Sequence, residues 1–312
     1  MPNAAKKKNT ISTMSVKQPP ASYESRITVF LDLLGFKDHI DQSISDPHYP
    51  QKILRAFQTI YKHVADEGDL SGRQIAQFSD CVVVSYKENQ SSAVFDLIIT
   101  ILLLQVELAS QGFLVRGAVT VGPLFHDKSL VFGPALVEAY RLESSVAKHP
   151  RIIVDPKIVT IARNNPAPHH KADDEEHYVN ALLKEDMDGN KFIEYVSWQA
   201  VVEQAGAGSE QWPGYMLELS KVLSKGLQSI DHRALEKIIW LYHEYLQAID
   251  HFLVPQRPKK IIQAHQSFYN ALAKLPRLQT EAKKAQRRID EAQKASEEIK
   301  NIKGITVRID FD

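Results

Sequence analysis

Two aspartates stand where carboxylates can do chemistry: Asp32 in VFLDLLGF and Asp80 in AQFSDCVVVSY. Each lies where an apolar, strand-like run (residues 27–31 and 82–84) meets a turn or a neighbouring strand. A carboxylate among β-branched and aromatic residues is costly to bury unless something neutralises it. Singly, each reads as a strand-end cap. On adjacent strands the pair makes a hard-oxygen site suited to Mg²⁺ or Mn²⁺, with phosphate oxygens completing the shell.

A third segment, FLVRGAVTVGPLFHDKSLVFGPALVEAYRLESS, predicts a strand over residues 113–121. A turn at Gly122 and Pro123, a short hairpin and a helix starting near Gly133 and Pro134 follow. Arg116 stands in that apolar strand beside Gly117, which lets another backbone or a ligand approach closely. An arginine there needs a carboxylate, phosphate or base partner, so an internal ion pair and a ligand pocket are both open.

Order and spacing of these segments give a resemblance over roughly residues 25–200. VFLDLLGF resembles the first metal-binding strand and turn of class III nucleotidyl cyclases. FSDCVVVSY is similar to the second metal strand, VRGAVTVGPLF to the next strand and turn, and FGPALVEAYRLES to the helix carrying W-G-x-x-V-N-x-A-x-R-x-E-S. The resemblance implies an α+β fold, a ferredoxin-like βαββαβ core with a mainly antiparallel sheet. It implies two Mg²⁺ or Mn²⁺ ions held by Asp32, Asp80 and the backbone carbonyl of Leu33, and Arg141 on the transition-state arginine. Implied nucleotide contacts are Phe36, Ala76, Gln77, Ser79, Arg116, Leu130 and Lys184, the last as nearest match to a triphosphate-binding lysine. In this family the carboxylates and the arginine come from different subunits, which implies a head-to-tail homodimer.

The departures bear on the substrate. Where purine cyclases read the base with a Lys and an Asp or Cys, this chain has Ala76 and Leu130; the asparagine position holds Val137. Metal residues kept without a purine reader resemble the pyrimidine cyclases of Pycsar anti-phage systems. That implies UTP or CTP as substrate, cyclic UMP (or cyclic CMP) and diphosphate as products, and a separate effector that reads the cyclic nucleotide. An adenylate or guanylate cyclase with other base contacts, and a non-catalytic cyclase-like module, are the competing readings.

Composition agrees with a globular protein that is not a nucleic-acid or anionic-membrane binder. Across 312 residues Lys+Arg and Asp+Glu are both 38, so no basic surplus exists. The single cysteine, Cys81, excludes an internal disulfide framework and fits a reducing cytoplasm. It reads as a small buried hydrophobe. Residues 1–24 are polar, basic and without an apolar core, which predicts a disordered arm and no secretory signal. The apolar run 94–104 is short for a bilayer and contains Asp96; it predicts a buried helix over 94–111 ended by Gly112.

The elements that must position the carboxylates follow from periodicity. Helical spacing covers residues 52–64, and residues 73–86 read as a hairpin around Ser79 and Asp80. A strand over 151–154, a helix over 157–163, a polar loop over 164–177 and a hairpin pairing 179–184 with 191–196 follow. The EDMDGN turn of that hairpin lacks the fifth-position ligand and closing Glu of a calcium loop. His169 and His170 read as part of the loop. From residue 201 the pattern is helical, over 216–227, 235–252 and 263–275. Ala282, Ala285, Ile289, Ala292, Ser296 and Ile299 then form a heptad seam, suited to the protein's own body, a second subunit or a solvated helix. Alternation in 303–311 predicts a final strand.

Overall fold

A computed structural model describes residues 22–65, 72–254 and 258–309. Most of the N-terminal arm therefore lies outside the described residues. Strand β1 (Glu24–Leu33) leads through helices α1 (Phe36–Ser45) and α2 (Tyr49–Ala65) to the hairpin of β2 (Gln74–Phe78) and β3 (Cys81–Lys87). Helix α3 (Ala93–Ser110) returns the chain to β4 (Val115–His126). The four strands lie in the order β2-β3-β1-β4, each antiparallel to its neighbour. That is the split βαβ of a ferredoxin-like sheet, as expected.

Strand β5 (Val131–Phe132) pairs with the end of β4, and α4 (Pro134–Arg141) runs directly into a π-helical turn, Leu142–Ala147. Strand β6 (Ile152–Val154) adds parallel to β4, and α5 (Pro156–Asn164) and α6 (Ala172–Ala181) follow. The hairpin of β7 (Leu183–Glu185) and β8 (Lys191–Ile193) extends the sheet to β2-β3-β1-β4-β6-β8-β7. A second π-helical turn, Gln199–Gln204, precedes α7 (Trp212–Gly226), α8 (His232–Leu253), α9 (Lys259–Ala264), α10 (Gln266–Ala273) and α11 (Gln279–Ile309).

Alternation along β1 sorts its two faces. Ile27, Val29, Leu31 and Leu33 enter one continuous apolar core with α2, α3, α7, α8 and the start of α11. Phe30 turns the other way and packs with Val83 and Ala139 of α4. Helix α3 is the one described helix long and apolar enough to cross a membrane, and 61% of that stretch is buried inside the fold. It ends in a Schellman motif: Gly112, at φ 88°, donates to Ala109, and Phe113 donates to Leu108.

Three expectations are corrected. No turn forms at Gly122 and Pro123; β4 runs through them to His126, and the hairpin turn lies at residues 127–130. Among the described residues the only strand beside β4 between Val121 and Leu124 is β1, so a proline there removes no ladder bond on the opposite side. The loop over 164–177 ends early, because α6 begins at Ala172 and takes the first half of the strand expected over 179–184. Asp173, Asp174 and Glu175 in its first turn favour a helix start, and the Asp174 carboxylate accepts from the Lys171 backbone N–H at 3.1 Å. The strand expected over 303–311 is helix as far as Ile309, with the remainder outside the described residues. Once begun, a Glu/Lys/Ala-rich helix gains one hydrogen bond per residue, which outweighs a short alternating pattern. The heptad seam is buried on the protein's own body only at Ala282, Ala285 and Ile289.

Candidate active site

The face of β1 opposite the main core carries Asp32, and the ladder fixes its neighbours. Asp32 pairs with Cys81 on β3 and with Arg116 on β4. Directly opposed residues share a face, so all three side chains point the same way. Asp80 sits in the two-residue turn between Phe78 and Cys81, where Ser79 adopts φ 55°. That left-handed conformation is unfavourable for a residue with a Cβ and keeps the turn tight. The Leu33 N–H donates to the Asp80 carbonyl at 3.3 Å, which ties the turn to the end of β1. Together these place Asp32, Asp80 and Cys81 with ligand atoms within 4.8 Å of one another.

Electrostatics at this cluster follows from partial burial. Burial pushes the Asp32 carboxyl above the usual carboxylate range; Asp80 adds to the rise, and Arg116 opposes it. Arg116 approaches Asp32 at 3.3 Å and also pairs with Glu143, whose side chain is only 3% exposed. Burial raises the Glu143 carboxyl too, again against the pull of Arg116. The Arg116 Nε–H is buried without an acceptor among the described residues. Burial and the two aspartates push the Cys81 thiol up to about 12. The thiol therefore stays protonated and donates weakly toward Asp32, which leaves the oxygen donors of Asp32 and Asp80 to hold a hard divalent cation.

Glu143 is the residue that motif spacing did not single out, although it stands in the quoted YRLES segment. The π-helical turn after Arg141 is what carries it inward, and such turns are frequent at functional sites. Lys237 of α8 is a second addition. It is half-buried and interacts electrostatically with Arg116, Asp32 and Glu143. Nothing in its helical periodicity distinguishes it from a solvated lysine.

The other implied residues are distributed unevenly. Leu33 is buried beside Asp32 with its side chain in the main core. Arg116 forms the internal ion pair rather than facing an open pocket. Ala76, Gln77 and Ser79 lie on β2 and its turn, next to Asp80; Gln77 accepts from the Tyr61 hydroxyl at 3.0 Å. Phe36 starts α1 and packs edge-on against Phe57, toward the core. Leu130 is exposed at the tip of the β4–β5 hairpin, and Val137 is exposed on α4. Lys184 is taken by Glu244 at 2.6 Å in a separate cleft that also holds Glu194 and Trp198.

Arg141 makes no hydrogen bond or ion pair with Asp32 or Asp80 of its own chain. It projects from the exposed end of α4, where Glu138 accepts from it at 2.7 and 2.8 Å. It lines a cleft with Asp155, Lys157 and Lys191. Of the lysines near the β7–β8 hairpin, Lys191 rather than Lys184 therefore shares a surface with Arg141.

No family model and no curated protein matches the chain. Solved structures that it resembles include the adenylyl cyclase CyaB from P. aeruginosa, at 14% identity and a TM-score of 0.34 over 46% of this chain and 82% of that one. A bacterial light-regulated adenylyl cyclase gives 13% identity and a TM-score of 0.35; the match covers 50% of this chain and 57% of that one. The catalytic core of a rhodopsin-guanylyl cyclase in complex with ATPαS gives 15% and 0.33, over 45% and 81%.

Proposed function

We propose that the protein is a nucleotidyl cyclase that closes a pyrimidine ribonucleoside triphosphate, UTP first and CTP second, to its 3′,5′-cyclic monophosphate with release of diphosphate. The observation that carries this reading is the meeting of Asp32 and Asp80 on the outer face of a ferredoxin-like sheet. Their oxygens fit Mg²⁺ or Mn²⁺, with the Leu33 carbonyl beside them. Bound there, such ions supply activation of the 3′-hydroxyl and neutralisation of the triphosphate.

The chain's own residues do the rest. Arg116 bridges Asp32 and Glu143, so it holds the Asp32 carboxylate in place and offsets part of the repulsion that two neighbouring aspartates create. The Ser79–Asp80 turn, tied to Leu33, fixes the second carboxylate. Arg141 supplies a fixed guanidinium for charge that develops on the α-phosphoryl oxygens and the leaving diphosphate. Since it stands apart from the carboxylates of its own chain, it acts on the site of a second copy. Apolar side chains around it favour such a contact: Val137 and Tyr140 on α4, with Leu130 and Phe132 on the adjoining hairpin, are 42–68% exposed.

The pyrimidine preference rests on Ala76 and Leu130, which offer no polar side chain to a purine edge. By the same resemblance the product is a second messenger in anti-phage defence, read by a separate effector. The test is competition: equal concentrations of the four ribonucleoside triphosphates with Mn²⁺, and products separated by chromatography. A pyrimidine product is expected. Faster turnover of ATP or GTP would replace this reading with a purine cyclase.

A further inference from the structure

Helix α8 lays one stripe of side chains across the carboxylate-bearing face of the sheet. Trp240 packs against Ala118, Leu142, Ala147, Ile153 and Phe192, and its indole N–H donates to Asp186 at 2.7 Å. One turn onward, Glu244 binds Lys184. One turn back from Trp240, and so on the same side of the helix, is Lys237. Ala118 lies two residues along β4 from Arg116, on the same face, and Leu142 adjoins Glu143. The docking of Trp240 therefore sets the Lys237 ammonium at the border of the cluster formed by Asp32, Arg116 and Glu143, with which it interacts.

Among the described residues Lys237 makes no hydrogen bond and no ion pair. Half-burying an ammonium without a partner is unfavourable, and Arg116 repels it. Of the carboxylates that act on it, Glu143 and Asp32 share Arg116, and Asp231 caps the start of α8 by accepting from the Arg233 N–H. The lysine expected to meet the triphosphate, Lys184, is itself neutralised by Glu244 and lies near Glu194. Among the described residues around the cluster, Lys237 is thus a cation left open to an anionic ligand, and a compact ammonium on a flexible stem suits a phosphate oxygen.

We propose that Lys237 is a phosphate-binding residue of this site, supplied by the C-terminal helical region to the polyphosphate chain of the nucleotide, an assignment that rests on the cyclase reading for the identity of the nucleotide. It gives α8 a direct part in substrate binding.

The test titrates the full-length protein with inorganic tripolyphosphate in the presence of Mg²⁺ by calorimetry, alongside Lys237→Met, Lys237→Gln and Lys237→Arg. Melting curves identify which neutral variant keeps the fold. Loss of one charge-assisted contact weakens binding by roughly 10- to 100-fold in the neutral variants, and Arg restores it to within about 3-fold. In turnover, KM rises by the same factor while kcat changes little. A folded neutral variant with wild-type affinity overturns the proposal, and so does wild-type protein that binds no tripolyphosphate. Wild-type protein that binds it through Lys237 yet cyclises no nucleotide keeps this site and removes the cyclase reading. A wild type that cyclises, with affinity and KM unmoved in the variants, does the reverse.

Discussion

Asp80 has no ion-pair partner among the described residues, whereas Asp32 shares Arg116 with Glu143. The two aspartates are therefore expected to respond differently to removal. Asp80→Ala abolishes cyclic product and leaves stability equal or slightly raised, because it removes a like charge from beside Asp32. Asp32→Ala also abolishes product, but strips Arg116 of one of two anions and costs about 1–2 kcal/mol. Urea denaturation of both variants, beside the product assay, checks the order; equal destabilisation would contradict the Arg116 bridge. Titration adds a second expectation. Burial lowers His39 and His126 to about 4, below the ordinary value of 6.5. Between those values the unfolded chain binds the protons and the native one does not, so stability is lost as pH falls from about 6.5 toward 4. The slope is at most ~1.4 kcal/mol per pH unit for each histidine, and less where solvent screens the site. Replacing His126 with Gln should flatten the fall in melting temperature over that window; an unchanged slope would remove His126 from the account. The carboxylate pair was legible in the sequence because each Asp borders an apolar, strand-like run and the order of the segments resembles a two-metal site. Glu143 and Lys237 were not, since their burial arises from a π-helical turn and from the docking of Trp240, neither of which leaves a periodic trace.

Strand pairing at β1 and β4 holds the cluster together, and Gly117 is where the two strands allow no side chain. A Cβ there would lie 2.3 Å from the Phe30 carbonyl oxygen and 3.2 Å from Leu31. Gly117→Ala is expected to destabilise the protein by roughly 2–4 kcal/mol, as overpacking against backbone does, and to lower metal-dependent activity through displacement of the neighbouring Arg116. Denaturant midpoints and activity of that variant are the check; a change within about 0.5 kcal/mol would contradict the close approach. The glycine at 117 predicted a close approach without naming its partner; pairing with Leu31 on β1 brings the Phe30 carbonyl there. Periodicity found α2, α3, α7 and α8 because each has a long apolar stripe. It misplaced the turn at Gly122 and Pro123 and missed α6, where the outcome depended on which flank of β4 was paired and on an acidic first turn. The final strand failed for a related reason, as local alternation competes poorly with helix propagation.

At the scale of the molecule, one continuous core joins the sheet to α7, α8 and the first turns of α11. The C-terminal helices thus belong to the body that carries the carboxylates, and α8 reaches the carboxylate-bearing face through Trp240. Arg141 belongs to another surface, which makes a shared site testable by mixing. Asp80→Ala and Arg141→Ala are each expected to be nearly inactive, with Arg141→Ala slowed by about two to three orders of magnitude. Mixed under subunit exchange they should recover activity, because a two-fold heterodimer holds one site with both lesions and one with neither. No recovery despite demonstrated exchange would place both residues in one subunit's chemistry, or Arg141 in folding alone. The central claim is the cyclisation itself. Purified protein incubated with UTP and Mn²⁺ is predicted to yield cyclic UMP and diphosphate in equal amounts, and the Asp80→Ala protein neither. Absence of a cyclic product from every ribonucleoside triphosphate, with Mg²⁺ or Mn²⁺ and the protein shown to be folded and dimeric, would contradict it.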